Sequence, residues 1–167
     1  MAATLVLVRI DDRLIHGQVA IGWVKAVSPD AIVVANDAVA ADSLQRNLME
    51  LATPPNLQVV ICRVDEVAGV LAQDSLSGRR LLLLFSTPQD VLKAVASGLA
   101  VQKINLGGMR FKPGKRQIMK AVSIDDQDAA TFKELLARRI RVTVQMVPTD
   151  EPVDIVKYLT TEGAKEG

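Results

Sequence analysis

The sequence predicts an α/β domain of three layers, with a mainly parallel central sheet held between two layers of helix. First, short β-rich runs recur over 4–10, 31–35, 57–62, 81–85, 102–106 and 142–147, with amphipathic segments between them. Strand and helix that alternate in this way build a parallel sheet. Second, several of the runs are apolar at nearly every position, as in Leu81-Leu82-Leu83-Leu84-Phe85. Such runs mark strands covered on both faces, not half-exposed ones. Third, 49% of the residues are hydrophobic but only 3% are aromatic, so the interior must be packed from Val, Leu, Ile, Ala and Met. At 167 residues and 18.0 kDa the chain fits one domain, and it can bury a core without help from metal or disulfide.

The elements are punctuated in order. The first strand runs through a polar loop into the first helix. The second helical segment repeats Leu44, Leu48 and Leu51 as a one-face stripe before Pro54-Pro55 forbids continuation. Thr87-Pro88-Gln89-Asp90 puts a hydroxyl at an N-cap, proline at the first helical position and a carboxylate two residues later, and Gly98 ends that helix. The last long helix starts at Asp125, Asp126 and Asp128, whose charge favours a helix N-terminus. It packs through Phe132, Leu135 and Leu136 and ends near Arg138 and Arg139. Residues 160–167 are polar and expected to fray. No repeat, linker or low-complexity stretch divides the chain, so 1–167 reads as one domain.

Composition excludes several functions. Twenty Lys and Arg face nineteen Asp and Glu, a formal charge of +1 with no block of like charge, which argues against a nucleic-acid partner. The single cysteine, Cys62, sits in an apolar run and reads as a small buried hydrophobe. The first eight residues lack the features of a signal peptide, and no apolar run approaches the roughly 20 residues that span a bilayer. A cytoplasmic protein without direct membrane insertion is expected.

The residues with chemical potential gather in Val8-Arg9-Ile10-Asp11-Asp12-Arg13-Leu14-Ile15-His16-Gly17-Gln18-Val19, between the first strand and the first helix. In an open parallel sheet such a loop lies at the carboxyl ends of the strands, where ligands bind. It holds Arg13 and the chain's only histidine, His16. Gly17 allows close backbone approach, and the amides of 14, 15, 17 and 18 adjoin the positive end of a helix dipole. That combination favours a phosphoryl group. Of three chemistries open to His16, metal ligation is weakest, for want of a second histidine or a Cys pair. General base catalysis would need a substrate pocket that the sequence does not display. Nucleophilic phosphoryl acceptance needs only a neutral imidazole, donors for the transferring oxygens and cationic charge. Asp11 and Asp12 read either as turn formers and local ion pairs or as carboxylates that orient the imidazole. A second loop, Asn105-Leu106-Gly107-Gly108-Met109-Arg110-Phe111-Lys112-Pro113-Gly114-Lys115, reads as a flexible turn and lacks the P-loop ending. Should it emerge at the same sheet edge, Lys112, Lys115 and Arg116 would offer a positive rim to a partner.

The segment Arg9-Ile10-Asp11-Asp12-Arg13-Leu14-Ile15-His16-Gly17-Gln18-Val19 closely resembles the phosphorylation-site segment of the mannose/fructose/sorbose family of phosphotransferase-system (PTS) enzyme IIB components. Asn36-Asp37, Ala52-Thr53-Pro54-Pro55, Phe85-Ser86-Thr87-Pro88-Gln89-Asp90-Val91, Asn105-Leu106-Gly107-Gly108-Met109, Lys112-Pro113-Gly114-Lys115, Val122-Ser123-Ile124 and Gln145-Met146-Val147-Pro148-Thr149-Asp150 look like the same family's markers in the same order. The resemblance implies a single doubly wound α/β/α domain. It implies a sugar phosphotransferase subunit whose His16 takes a phosphoryl group, at Nδ1, from a phosphohistidine of a IIA component. The group then passes to a sugar bound by the membrane components IIC and IID, which would hold the protein at the inner face of the membrane. Arg13 is then a phosphoryl stabiliser and Ser86 a candidate contact, and no cofactor or metal is implied. Met1 and the length are those expected of a free subunit. Two readings compete: a non-catalytic regulatory or anion-sensing domain on the same fold, and a metabolite enzyme, which should enclose its substrate where a carrier exposes His16.

Overall fold

The computed structural model describes residues 1–159, except for the side chains of Gln18 and Val19; the expected fraying of 160–167 lies outside the described residues. Seven strands form the central sheet in the order β3 (Gln58–Cys62), β2 (Ala31–Ala35), β4 (Arg80–Phe85), β1 (Thr4–Asp11), β5 (Lys103–Gly108), β8 (Arg141–Val144) and β9 (Val153–Asp154). All pairings are parallel except that of β9, which runs antiparallel to β8. The mainly parallel sheet and the doubly wound architecture are therefore as expected. Helices α1 (Gly17–Val27) and α3 (Ser43–Ala52) cover one face, with the short α2 (Asp37–Ala40) between them; α4 (Val67–Leu71), α5 (Pro88–Ala96) and α6 (Asp126–Ala137) cover the other.

Strand periodicity divides the core. Ile32, Val34, Leu82 and Leu84 point to the α1 side, and their neighbours Ala31, Val33, Leu81, Leu83 and Phe85 point to the α5 side. Both sets are buried, which is why these runs are apolar at every position. The helix punctuation is also as expected. Thr87 Oγ1 accepts from the Asp90 amide at 3.1 Å with Pro88 in the first turn, and Asp125 and Asp128 cap α6 reciprocally.

Three elements differ from expectation. The stripe on α3 faces solvent: Leu44, Leu48 and Leu51 are 66%, 50% and 83% exposed, and the helix is anchored instead by Met49 against the α1-side core. Periodicity identifies an apolar stripe but not which side of it is covered. Second, Gly107-Gly108 is no turn but the end of β5. A side chain at Gly107 would collide with the Arg9 guanidinium, and a Cβ at Gly108 would lie 2.9 Å from Asp11 Oδ1, so glycine is needed for close approach. Third, the chain after β5 forms an unforeseen antiparallel hairpin, β6 (Arg116–Met119) with β7 (Val122–Ile124), which leads into α6.

Two outcomes follow from these contacts. Gly107→Ala should destabilise the fold by about 2 kcal/mol, a typical cost of overpacking, read from the midpoint of urea unfolding. Asp128 is buried; that burial opposes its charge, but hydrogen bonds from Gln89, the Asp125 amide and Lys115 together hold its carboxyl below the ordinary range. A depressed folded pKa contributes stability above the unfolded value, near 4, and loses it as pH falls through the folded pKa. The stability gap between wild type and Asp128→Asn should therefore be full at pH 7 and shrink below about pH 4, as measured by urea unfolding at both.

Candidate functional site

The connections after β1, β2, β4 and β5 all emerge at the carboxyl edge of the sheet. From β1 the chain crosses to α1 on one face, and from β4 to α5 on the other, so a crevice opens between them at a topological switch point. An open groove of about 620 Å³ occupies it, lined among others by Arg13, His16, Asn36, Ser86, Arg110 and Lys112.

The β1 loop is built around a buried carboxylate. Arg9 and Asp11 point to the α1 side of β1 and are only 2% and 1% exposed. Asp11 accepts from the Arg13 amide at 3.0 Å and from Arg13 Nε and Nη2 at 2.9 and 2.7 Å, a bidentate fork, while Arg9 Nη2 reaches it at 3.5 Å. Arg9 is held in turn by the Asn105 side chain, by the carbonyls of Gln145 and Met146 at 2.9 and 2.8 Å, and by the Trp23 ring, whose centroid lies 4.8 Å away. Burial lowers the pKa of Arg9 to about 10 against the opposing pull of Asp11, so Arg9 stays charged at neutral pH. Hydrogen bonding to Asp11 raises that of Arg13. Two cations around one anion leave the Arg9–Asp11–Arg13 cluster with a net positive charge.

Past Asp11 the chain turns sharply, with the Leu14 amide donating to the Asp11 carbonyl at 2.9 Å. Leu14 adopts φ +59, a left-handed conformation that costs a non-glycine residue roughly 1–2 kcal/mol. Burial of Leu14 and Ile15 in the α1-side core holds it there. Both residues therefore act as anchors, and the Leu14 amide is committed to the turn instead of being free for a phosphate. His16 follows as the N-cap of α1, exposed, with no side-chain capping bond. The next amides, at Gly17 and Gln18, belong to the first helical turn and have no intrahelical acceptor. That turn carries no acidic residue, so the positive end of the α1 dipole is unopposed beside His16. The Gln18 side chain is outside the described residues.

Among the described residues neither aspartate hydrogen-bonds the imidazole. Asp11 serves Arg13 and Arg9. Asp12 accepts from the amide and Nε of Arg110 at 2.8 and 3.2 Å, which ties the β5 loop to the β1 loop and leaves Asp12 Oδ1 buried with no partner among the described residues. Arg110 thereby joins Arg13 in the groove, a residue the sequence reading passed over because only its pairing with Asp12 places it there. Ser86 lines the same groove, fixed by Asn36 Nδ2 at 3.0 Å and donating to Asp90 at 3.4 Å. Of the expected positive rim, Lys112 lines the groove. Lys115 does not: it turns inward to the Asp128 carboxylate at 3.0 Å, which needs a counter-charge in its buried cap. Arg116 lies on β6, 3.5 Å from Asp126. Cys62 is buried, and burial pushes its thiol up to about 11, so it is inert.

Among the described residues no helix is long and apolar enough to cross a membrane. The family model described as PTS system sorbose subfamily IIB component matches residues 5–167. The chain is 36% identical over 162 residues to the sorbose-specific EIIB component of Lacticaseibacillus casei, covering 97% of this chain and 99% of that protein. It is 39% identical over 154 residues to the mannose-specific EIIAB component of Escherichia coli (strain K12), covering 92% of this chain and 48% of that one, so it spans about half the length of that relative. Among solved structures, the IIBSor domain of the sorbose permease from Klebsiella pneumoniae matches with a TM-score of 0.87 and 36% identity over 92% of this chain and 94% of that chain. The architecture, the His16 loop and these matches agree: the chain belongs to the sorbose subfamily of PTS IIB components.

Proposed function

We propose that this protein is a phosphocarrier whose His16 accepts a phosphoryl group from a phosphohistidine of a IIA component and passes it to a sugar presented by the IIC and IID membrane components. The observation that carries this reading is the exposed His16 at the uncompensated N-terminus of α1, beside an Arg13 locked in place by the buried Asp11. A neutral imidazole nitrogen, Nδ1 by family likeness, attacks phosphorus in line with the donor's P–N bond. That bond breaks as the new one forms, and the donor imidazole leaves with its electron pair. The terminal amides of α1 and the outer N–H groups of Arg13 receive the transferring oxygens, and Arg110 and Lys112 add positive potential.

Openness is part of the chemistry. A carrier that gripped phosphate tightly would stall the second transfer, so a few amides and a guanidinium fit the task better than a closed pocket. Two reacting groups on different proteins must also meet in line, which the open groove permits. Through its IIC and IID partners the protein would work at the inner face of the membrane.

Phosphorus NMR after incubation with phosphoenolpyruvate, the general phosphotransferase proteins and a charged IIA component should show an acid-labile phosphohistidine in the wild type and none in His16→Ala. That variant should keep its stability within about 0.5 kcal/mol, because the side chain is exposed and caps nothing. A phosphohistidine signal that persists in His16→Ala would sink the assignment. Arg13→Lys should slow phosphoryl acceptance by about tenfold, or ~1.4 kcal/mol of barrier, since an ammonium cannot fork onto Asp11 and also reach the phosphate. Rapid-quench transfer rates would check this, and an unchanged rate would make Arg13 purely structural.

A further inference from the structure

The sheet is not closed between its two central strands. β1 stands between β4 and β5 and pairs β4 from Thr4 through Ile10, but it meets β5 only at Arg9, Ile10 and Asp11. Among the described residues its first half therefore has a strand on one side alone. A central strand covered by helices on both faces is expected to be buried throughout. Here Leu5, Val6 and Leu7 are only half-buried, whereas the β4 residues beside them are buried. The gap is a cleft of about 740 Å³ at the amino edge of the sheet, away from His16. That volume lies within the range of small-molecule sites, roughly 300–1,000 Å³.

The walls state what would fit. Leu7, Trp23, Leu99 and Ile140 give the cleft an apolar lining drawn from both faces of the sheet. Among the described residues, its ionisable lining residues are Lys103 and Arg138, both basic, with no carboxylate beside them. Lys103 has no ion pair among the described residues. Among the described residues Arg138 is paired with the exposed Glu134 at 3.2 Å, a surface pair of small net strength. At the inner end stand Asn105 and Gln145, whose side-chain oxygen and main-chain carbonyl, respectively, accept from Arg9. Trp23 is the opposite wall and also touches Arg9.

We propose that the cleft between β1 and β5 binds a small organic carboxylate with an apolar body, the body against Trp23 and the aliphatic walls and the charge at Lys103 and Arg138. Occupancy there bears on the Arg9 network and so, through Asp11, on Arg13, which makes the cleft a second site coupled to the His16 groove.

Trp23 is the chain's only tryptophan, so its emission reports on the cleft directly. Octanoate is the probe, with octanol as its uncharged counterpart. Octanoate should change Trp23 emission saturably with a Kd below about 1 mM, at least about tenfold tighter than octanol, and the Lys103→Glu/Arg138→Glu double variant, checked for folding by circular dichroism, should lose that preference. Absence of saturation, equal response to the two probes, or unchanged octanoate binding by the double variant would overturn the site. At saturation the nitrogen-15 resonance of Arg13 Nε, which is bonded to Asp11, should shift; an unmoved resonance would overturn the coupling. Neither readout involves phosphate transfer, so failure here leaves the phosphocarrier proposal standing and the converse also holds.

Discussion

The Asp11 carboxylate, shared inside the protein by two guanidinium groups, organises most of what surrounds it. Burying Asp11 together with Arg9 is expensive, because each loses its water, while Arg13 stays partly exposed. The structure offsets that cost with donors and acceptors brought from distant parts of the chain: Asn105 from β5, the carbonyls of Gln145 and Met146 beyond β8, and the π face of Trp23 on α1. Those partners fix how β1, β5 and β8 lie beside one another at the carboxyl edge. They also account for the two glycines that end β5, since no side chain fits above Arg9 and Asp11.

From that cluster the groove is assembled outward. Arg13 is rigid because both its fork and its amide are spent on Asp11, and His16 is placed because Leu14 and Ile15 are sunk in the core ahead of it. Asp12 performs a similar task on the other flank by fixing Arg110. The two acidic residues thus shape the electrostatics of the groove without touching the imidazole. Charge at the exposed surface is set by carboxylates largely hidden from it.

Much of the fold was legible because the strands are apolar on both faces; β2 was bounded correctly at Ala31–Ala35 from its sequence alone. The caps at Thr87 and Asp125 were legible because capping is local chemistry. His16 and Arg13 could be found from their position between strand and helix. What remained hidden depends on contacts far apart in the chain. Gly107-Gly108 looks like a turn until Arg9 is placed above it, Asp11 and Asp12 look alike until their arginines arrive, and Lys115 looks like surface charge until the Asp128 carboxylate is found beside it. The β6–β7 hairpin escaped notice because Arg116-Gln117-Ile118-Met119 is short and mixed in polarity.

The outermost strand on the β8 side has a consequence for life at high concentration. A long parallel edge invites other chains to extend the sheet, since its free N–H and C=O groups form a ready template. β9 spans two residues and reverses direction, and the chain then leaves it in a 3-10 turn at Ile155–Tyr158. So brief a rung leaves little for a stray strand to continue. The fold in this way blunts its own sheet along that side.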